Sequence, residues 1–406
     1  MRKIAVIGGG AGGLFAALHA SKEAKKKKIE ARIVLFEGED RVGKKLSITG
    51  SSMCNITNSE PFETFITRYH DKEKEIRDIL SSYTVEDTRR FLESINIPLT
   101  TREDKKVFPS SFSAHQVIDE LTSSCLSMEV IIERNRRISE VRRIGSTFVL
   151  HCKDEEYSPF DAVIIATGGF TYPQTGSRGD GYNLARSLGH SIEELRPGLT
   201  KIKVEDKALH ALSGLTVEDV IVQCDTQKEV EGALLITHTG LSGPVIINNS
   251  RNFPKNGTIR VNYIRKTLKE TAAEISGLCS RFGSKQFSSV LHSFGLSSSL
   301  LEYLCLKHEI DGRRKAAEVG KKVMMKAAAA LTSDTYRYTT EGLENTGMIS
   351  RGGIPTKEIS LDTMESAIVP SLYFCGEVID IDGETGGYNL QFAFSSGAIA
   401  GKSCIR

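Results

Sequence analysis

The chain holds 406 residues, of which 39% are hydrophobic and 26% charged, with a net charge of +2. That length exceeds what one hydrophobic core usually serves, so two or three domains are expected. The composition excludes a disordered chain and a polyanion binder along its whole length, and no run reaches the roughly 18 apolar residues that span a bilayer. With no apolar leader ahead of the first strand, a cytoplasmic protein with no membrane partner is expected. Eight cysteines, at positions 54, 125, 152, 224, 279, 305, 375 and 404, lie scattered without a C-x-x-C pair. Reduced thiols suit that pattern better than disulfides, and no histidine falls into metal-ligand spacing, so no metal is expected.

In chain order, Arg2–Ile7 predicts a buried strand that empties into Gly8-Gly9-Gly10-Ala11-Gly12-Gly13. Gly8 permits a tight turn, Gly10 lets backbone approach a pyrophosphate, and Gly13 lets the helix predicted over 14–24 pack on the strand with its positive end toward the anion. A second strand over 31–36 ends in Glu37, about twenty residues beyond the glycines, where a carboxylate holds an adenosine ribose. The polar stretch 38–58 is long enough to be functional. Helices are predicted over 72–82, 85–94 and 115–123, an extended segment over 107–109, and strands over 128–132 and 147–152. Residues 161–167 form a near-continuous apolar strand, the mark of a parallel sheet covered on both faces, and it stops at Gly168-Gly169. From about 190 to 261 short strands such as 217–224 and 233–236 alternate with turns. Residues 265–330 are helical in pattern and carry 12 Lys and Arg against 6 Asp and Glu. They read as solvated helix faces or as a substrate- or RNA-facing surface. A last buried strand, 372–375, leads through Gly376-Glu377 and Gly386-Gly387-Tyr388 into a terminal helix over 389–405.

The expected fold class is α/β: a Rossmann-type FAD-binding domain with an inserted β-rich domain and a helical insertion. Residues 1–189 and 346–406 form the FAD-binding part, 190–264 with about 331–345 the β-rich insertion, and 265–330 the basic helical insertion. FAD, bound non-covalently, fits better than a nicotinamide because two further strands stop at glycines, at Ala166-Thr167-Gly168 and at Gly376, and a long cofactor needs several strand ends. Glu377 is placed to accept from ribityl hydroxyls, and the helix opening at Gly386-Gly387-Tyr388 presents free N–H groups to the pyrimidine edge of a flavin. No second G-x-G-x-x-G and no C-x₄-C pair occurs, which argues against a disulfide reductase. Cys54 and Cys375 read as residues near the cofactor, explained equally by a small apolar lining and by a redox role, and His115 and His238 read as packing residues rather than catalytic bases. No catalytic acid or base is assigned.

These segments resemble a flavoprotein family, the NAD(P)/FAD-dependent oxidoreductases that include aminoacetone oxidase, BaiN-type bile-acid reductases and HI0933-like flavoproteins. The likeness rests on 6–13, on Arg41-Val42-Gly43-Lys44-Lys45-Leu46 through Cys54-Asn55-Ile56-Thr57-Asn58, on Lys106-Val107-Phe108-Pro109, on 237–244, on Gly352-Gly353-Ile354 and on 376–391 through Tyr388-Asn389-Leu390-Gln391. The cofactor-binding set then comprises Gly8, Gly10, Ala11, Gly13, Glu37, Gly38, Arg41, Lys44, Lys45, Leu46, Cys54, Asn55, Ala166, Thr167, Gly168, Gly376, Glu377, Gly386, Gly387, Tyr388, Asn389 and Leu390. One departure stands out: the family loop reads Gly-Asn-Gly-Arg-Cys-Asn or Gly-Gly-Arg-Cys-Asn, and here it reads Ser51-Ser52-Met53-Cys54-Asn55. Lys44, Lys45 and Arg351 are the cations left to replace the arginine. The resemblance implies that the insertions in the Rossmann-type domain are a β-barrel-like domain and a small helical domain. It also implies hydride transfer between flavin and a small-molecule substrate, by C=C reduction or its reverse, with NAD(P)H as transient reductant. A flavin amine oxidase using oxygen, a reductase of uridine in ribosomal RNA with RNA contact through 265–330, and a non-enzymatic flavin sensor are the alternatives.

Overall fold

The computed structural model describes residues 1–225, 227–343 and 346–406, which form two compact units: Met1–Gly198 with Gly347–Arg406, and Leu199–Thr346. The first unit is built on a seven-stranded sheet. Its five parallel strands run in the order Leu372–Phe374, Ala162–Ile165, Arg2–Ile7, Ala31–Phe36 and Ile131–Glu133, and the hairpin Ile359–Ser360 with Glu365–Ser366 adds an antiparallel edge. Every residue of Ala162–Ile165 is buried, as its apolar run requires of a strand covered on both faces.

The opening helix spans Ala11–Lys27, longer at both ends than the sequence predicts. It begins inside the glycine run because Gly10 serves as its N-cap, and it runs on through Lys25, Lys26 and Lys27, which suit the negative end of the dipole. Lys28, at φ 56°, stops it. The terminal helix Tyr388–Ser403 lies against it at backbone distance: a Cβ on Gly397 or Gly401 would stand 2.4 Å or 2.2 Å from the carbonyl oxygens of Gly12 and Ala16. The strand expected over 128–132 is displaced, since Met128 closes the helix Ala114–Ser127 and Glu129 takes φ 64° before the chain extends at Ile131–Glu133. The segment Thr147–Cys152 is the middle of a three-stranded meander with Glu140–Ile144 and Glu155–Phe160, two strands whose charged faces hide their alternation in the sequence.

The second unit contains a closed six-stranded barrel, ordered Ile202–Val204, Gly240–Ser242, Val230–Thr237, Thr216–Cys224, Asn256–Asn262 and Asp334–Thr339. Along Thr216–Cys224 the inward residues are Val217, Val220, Val222 and Cys224, and a bulge with Asp219 at φ 52° resets the alternation between the first two. The helices Leu268–Arg281, Phe287–Leu291, Ser298–Lys307 and Lys321–Thr332 share one apolar core with the barrel, in which Ile275, Leu300 and Leu331 join Val222, Ile236 and Ile259.

Candidate functional site

In an open parallel sheet the carboxyl ends of the strands face a crevice. Here the ends of Arg2–Ile7, Ala31–Phe36, Ala162–Ile165 and Leu372–Phe374 open on one cleft. The three glycines have separate roles. Gly8 sits at φ +108°, where a Cβ would come 2.4 Å from the Ala166 carbonyl oxygen, and a Cβ on Gly13 would come 1.8 Å from that of Gly8. A Cβ on Gly10 meets nothing within 4 Å and projects into open space. Gly8 and Gly13 therefore hold strand to helix, and Gly10 leaves room for a ligand. No side chain caps the helix that follows, so its first N–H groups face the cleft unfilled.

Glu37 lies at the end of the second strand. Its carboxylate accepts the Gly9 N–H at 2.9 Å and the Glu39 N–H at 2.8 Å, and burial raises its pKa. Beside it Lys44 pairs with Glu39 and Asp40 at 2.8 Å and 2.6 Å, and Arg137 with Glu39 at 3.0 Å and with Asp180. Further along, the Lys45 ammonium donates to both oxygens of Glu377, at 3.0 Å and 2.7 Å, and to Thr171 Oγ1 at 3.0 Å. The Ser350 N–H holds the same carboxylate at 2.7 Å. Thr167 lines the cleft, and its hydroxyl oxygen is buried without a hydrogen-bond partner. Of the three cations available to replace the absent arginine, Lys44 and Lys45 line the cleft, whereas Arg351 lies 4.0 Å from Asp382.

Ala11, Gly38, Leu46, Ala166, Gly168, Gly376, Asn389 and Leu390 line the cleft with Gly8, Gly10, Glu37, Lys44, Lys45, Thr167 and Glu377. The other candidates lie elsewhere. Arg41 is exposed, and Gly13 is taken up by packing. Gly386 and Gly387 open the terminal helix without a side-chain cap, and a Cβ on Gly387 would press the Thr57 backbone at 2.6 Å. Tyr388 is buried outside the cleft lining, its hydroxyl donating to Glu60 at 2.7 Å within an Arg68–Glu60–Glu384 network. Cys54 and Asn55 lie in the loop before Thr57, where Asn55 Oδ1 and Thr57 Oγ1 are buried oxygens without partners. Burial pushes the Cys54 thiol up to about 12 and the Cys375 thiol higher still, so both are protonated and neither is a thiolate nucleophile. Sequence reasoning missed Arg137, Ser177, Asp180 and Met348 in the lining. A signal for two of them lay in Gly176-Ser177-Arg178-Gly179-Asp180, a second glycine-flanked polar turn.

These residues fit an extended dinucleotide: an open volume before Gly10, an uncapped helix start and a carboxylate one strand over. The family described as HI0933-like protein Rossmann domain matches residues 2–403. The chain belongs to that flavoprotein family. Family membership makes it a flavoprotein oxidoreductase, as the sequence motifs led one to expect. Among curated relatives, a 3-dehydro-bile acid delta(4,6)-reductase from Clostridium scindens is 27% identical over 99% of both chains. A ribosomal RNA dihydrouridine synthase from Haemophilus influenzae is 29% identical over 96% of this chain and 95% of its own. Among solved structures, 3-ketosteroid delta1-dehydrogenase from Sterolibacterium denitrificans shares the fold with a TM-score of 0.52 at 12% identity, both chains covered in full. No helix among the described residues is long and apolar enough to cross a membrane, and no cluster of three or more His, Cys, Asp or Glu there could hold a metal.

Proposed function

We propose that this flavoprotein reduces a C=C bond conjugated to a carbonyl, with FAD in the cleft and NAD(P)H as electron source. The observation that carries the proposal is the cleft itself, a dinucleotide cradle with an apolar lip, in a chain that aligns end to end with a delta(4,6)-reductase. Bound FAD would supply hydride chemistry. Gly10 and the start of helix Ala11–Lys27 would receive its pyrophosphate, Glu37 its adenosine ribose and Glu377 its ribityl hydroxyls. Lys45 holds Glu377 in place and sets a positive charge beside that part of the cleft. Leu46, Ile349 and the 43%-exposed Met348 give the cleft an apolar wall suited to a flat, weakly polar substrate. Across the C=C bond the reaction adds a hydride equivalent to one carbon and a proton to its neighbour, and NAD(P)H is oxidised.

A second reading keeps the chemistry and changes the carrier. The 5,6 bond of uridine is also conjugated to a carbonyl, and a dihydrouridine synthase aligns over nearly the whole chain. One experiment separates the readings. The purified protein, expected to be yellow and to release FAD on heating, is reduced anaerobically with NADPH and mixed with a 4-en-3-one steroid or with structured RNA. Reoxidation by the steroid supports the first reading and loss of uridine absorbance supports the second. Reoxidation by neither, with rapid reoxidation by air, would sink both.

A further inference from the structure

We infer that the unit Leu199–Thr346 carries an RNA-docking face made by two loops bonded to each other. The inference deepens the uridine reading and rests on it for the choice of RNA among polyanions. Helix Leu268–Arg281 ends at Phe282, and the turn after it is tied to the stretch 312–317. The Ala317 N–H donates to the Gly283 carbonyl at 3.1 Å, the Ala316 N–H to that of Lys285 at 2.9 Å, and the Phe287 N–H to that of Arg314 at 2.9 Å. These bonds pair the backbone of 283–287 with that of 314–317, and the two loops so joined carry Arg281, Lys285, Arg313, Arg314 and Lys315, all five exposed. The half-buried Phe282 ring holds the Arg281 guanidinium 5.1 Å and the Lys285 ammonium 4.9 Å from its centroid, fixing two of the cations.

The stretch then reaches Gly320, which opens helix Lys321–Thr332 with no side-chain cap and no acid in its first turn. Lys321 and Lys322 stand there exposed, at the end of a helix where the macrodipole disfavours cations. Local folding therefore does not account for them, and an anion in front of the face does. Acids are few: 281–287 has none and 311–322 has Asp311 and Glu318. Asp311 takes Arg313 at 3.5 Å, while Arg314 donates to the Glu318 backbone carbonyl and not to its carboxylate. Among the described residues Lys315, Lys321 and Lys322 have no carboxylate in ion-pair reach. A phosphate backbone suits this face because adjacent guanidinium groups bind phosphate bidentately. A membrane suits it less, since neither loop exposes a large apolar side chain that could enter a bilayer.

The test uses full-length protein with FAD bound, a labelled transcript of structured large-subunit ribosomal RNA, and phosphatidylglycerol vesicles. Wild type is expected to bind the transcript at 50 mM salt and to lose about a hundredfold in affinity by 200 mM, as release of counterions from several phosphates requires. Changing Arg313, Arg314, Lys315, Lys321 and Lys322 together to Gln is expected to weaken binding at 50 mM salt at least tenfold. The thermal midpoint and the rate of reduction by NADPH should stay unchanged. Equal binding by wild type and variant, or binding to vesicles but not to RNA, would overturn the docking face. Salt-dependent RNA binding without any uridine reduction would instead overturn the uridine reading.

Discussion

At the scale of single residues, Gly10 and Gly13 look alike in the sequence and differ in what they face. Gly10→Val points its side chain into open cleft, so a folded protein without FAD is expected, with an unchanged far-ultraviolet spectrum and no flavin absorbance. Gly13→Ala drives a Cβ onto the Gly8 carbonyl, and several kcal/mol of stability should be lost. His19 gives a pH prediction. It is buried in the opening helix, hydrogen-bonded to the Phe15 carbonyl and the Tyr83 hydroxyl at 3.0 Å each, and burial lowers its pKa from 6.5 to about 3. The folded chain keeps it neutral while the unfolded chain takes up the proton first. Its contribution is therefore present above pH 6.5 and lost as pH falls from there toward 3, at about 1.4 kcal/mol per pKa unit at most. Urea midpoints of wild type and His19→Gln should converge across that window, and parallel curves would refute the assignment. Ser52 stands at φ +67°, so Ser52→Gly should stabilise the loop by about 0.5–1 kcal/mol in the same assay.

At the scale of elements, the contact between the opening and terminal helices decides how the two chain ends meet. Gly401→Ala would gain about 1 kcal/mol of helix propensity if the helix stood alone. A Cβ there stands 2.2 Å from the Ala16 carbonyl oxygen, so the helices must part and the net effect is expected to be a loss of about 2–4 kcal/mol, read as a lower thermal midpoint. The edge hairpin is pinned by a buried histidine: His190 meets Glu358 and Ser366 at 2.8 Å each. The geometry resembles a hydrolytic triad, yet Ser366 Oγ already accepts the N–H groups of Ile368 and Val369 at 3.0 Å and 2.8 Å, so its lone pairs are engaged in the turn. The role of that cluster is to hold the strand edge.

At the scale of the whole molecule, the cleft proposed for FAD is lined by residues from both ends of the chain but from one unit. A ligand at 100 times its Kd adds about 2.7 kcal/mol to the unit that holds it. Stripping FAD should therefore expose the unit formed by Met1–Gly198 and Gly347–Arg406 to protease and raise its cleavage rate roughly a hundredfold where cleavage follows opening, and adding FAD back should restore protection. Cleavage that ignores FAD would place the cofactor elsewhere.

The sequence by itself determined the strand, glycine run, helix and acid of the cradle, because each of those roles depends on residues within about forty positions of one another and on backbone chemistry that glycine alone permits. It also determined the family and the β-rich character of the insertion. The tertiary structure alone decided which residues share the cleft: Arg137, Met348 and Ile349 reach it from distant segments, and no local periodicity marks them. It turned Tyr388 away toward Glu60, left Arg41 in solvent and put Lys45 on Glu377, 332 positions away. Side-chain direction is set by packing against elements far along the chain, whereas backbone conformation is set by neighbours, and that difference separates what was legible from what was not.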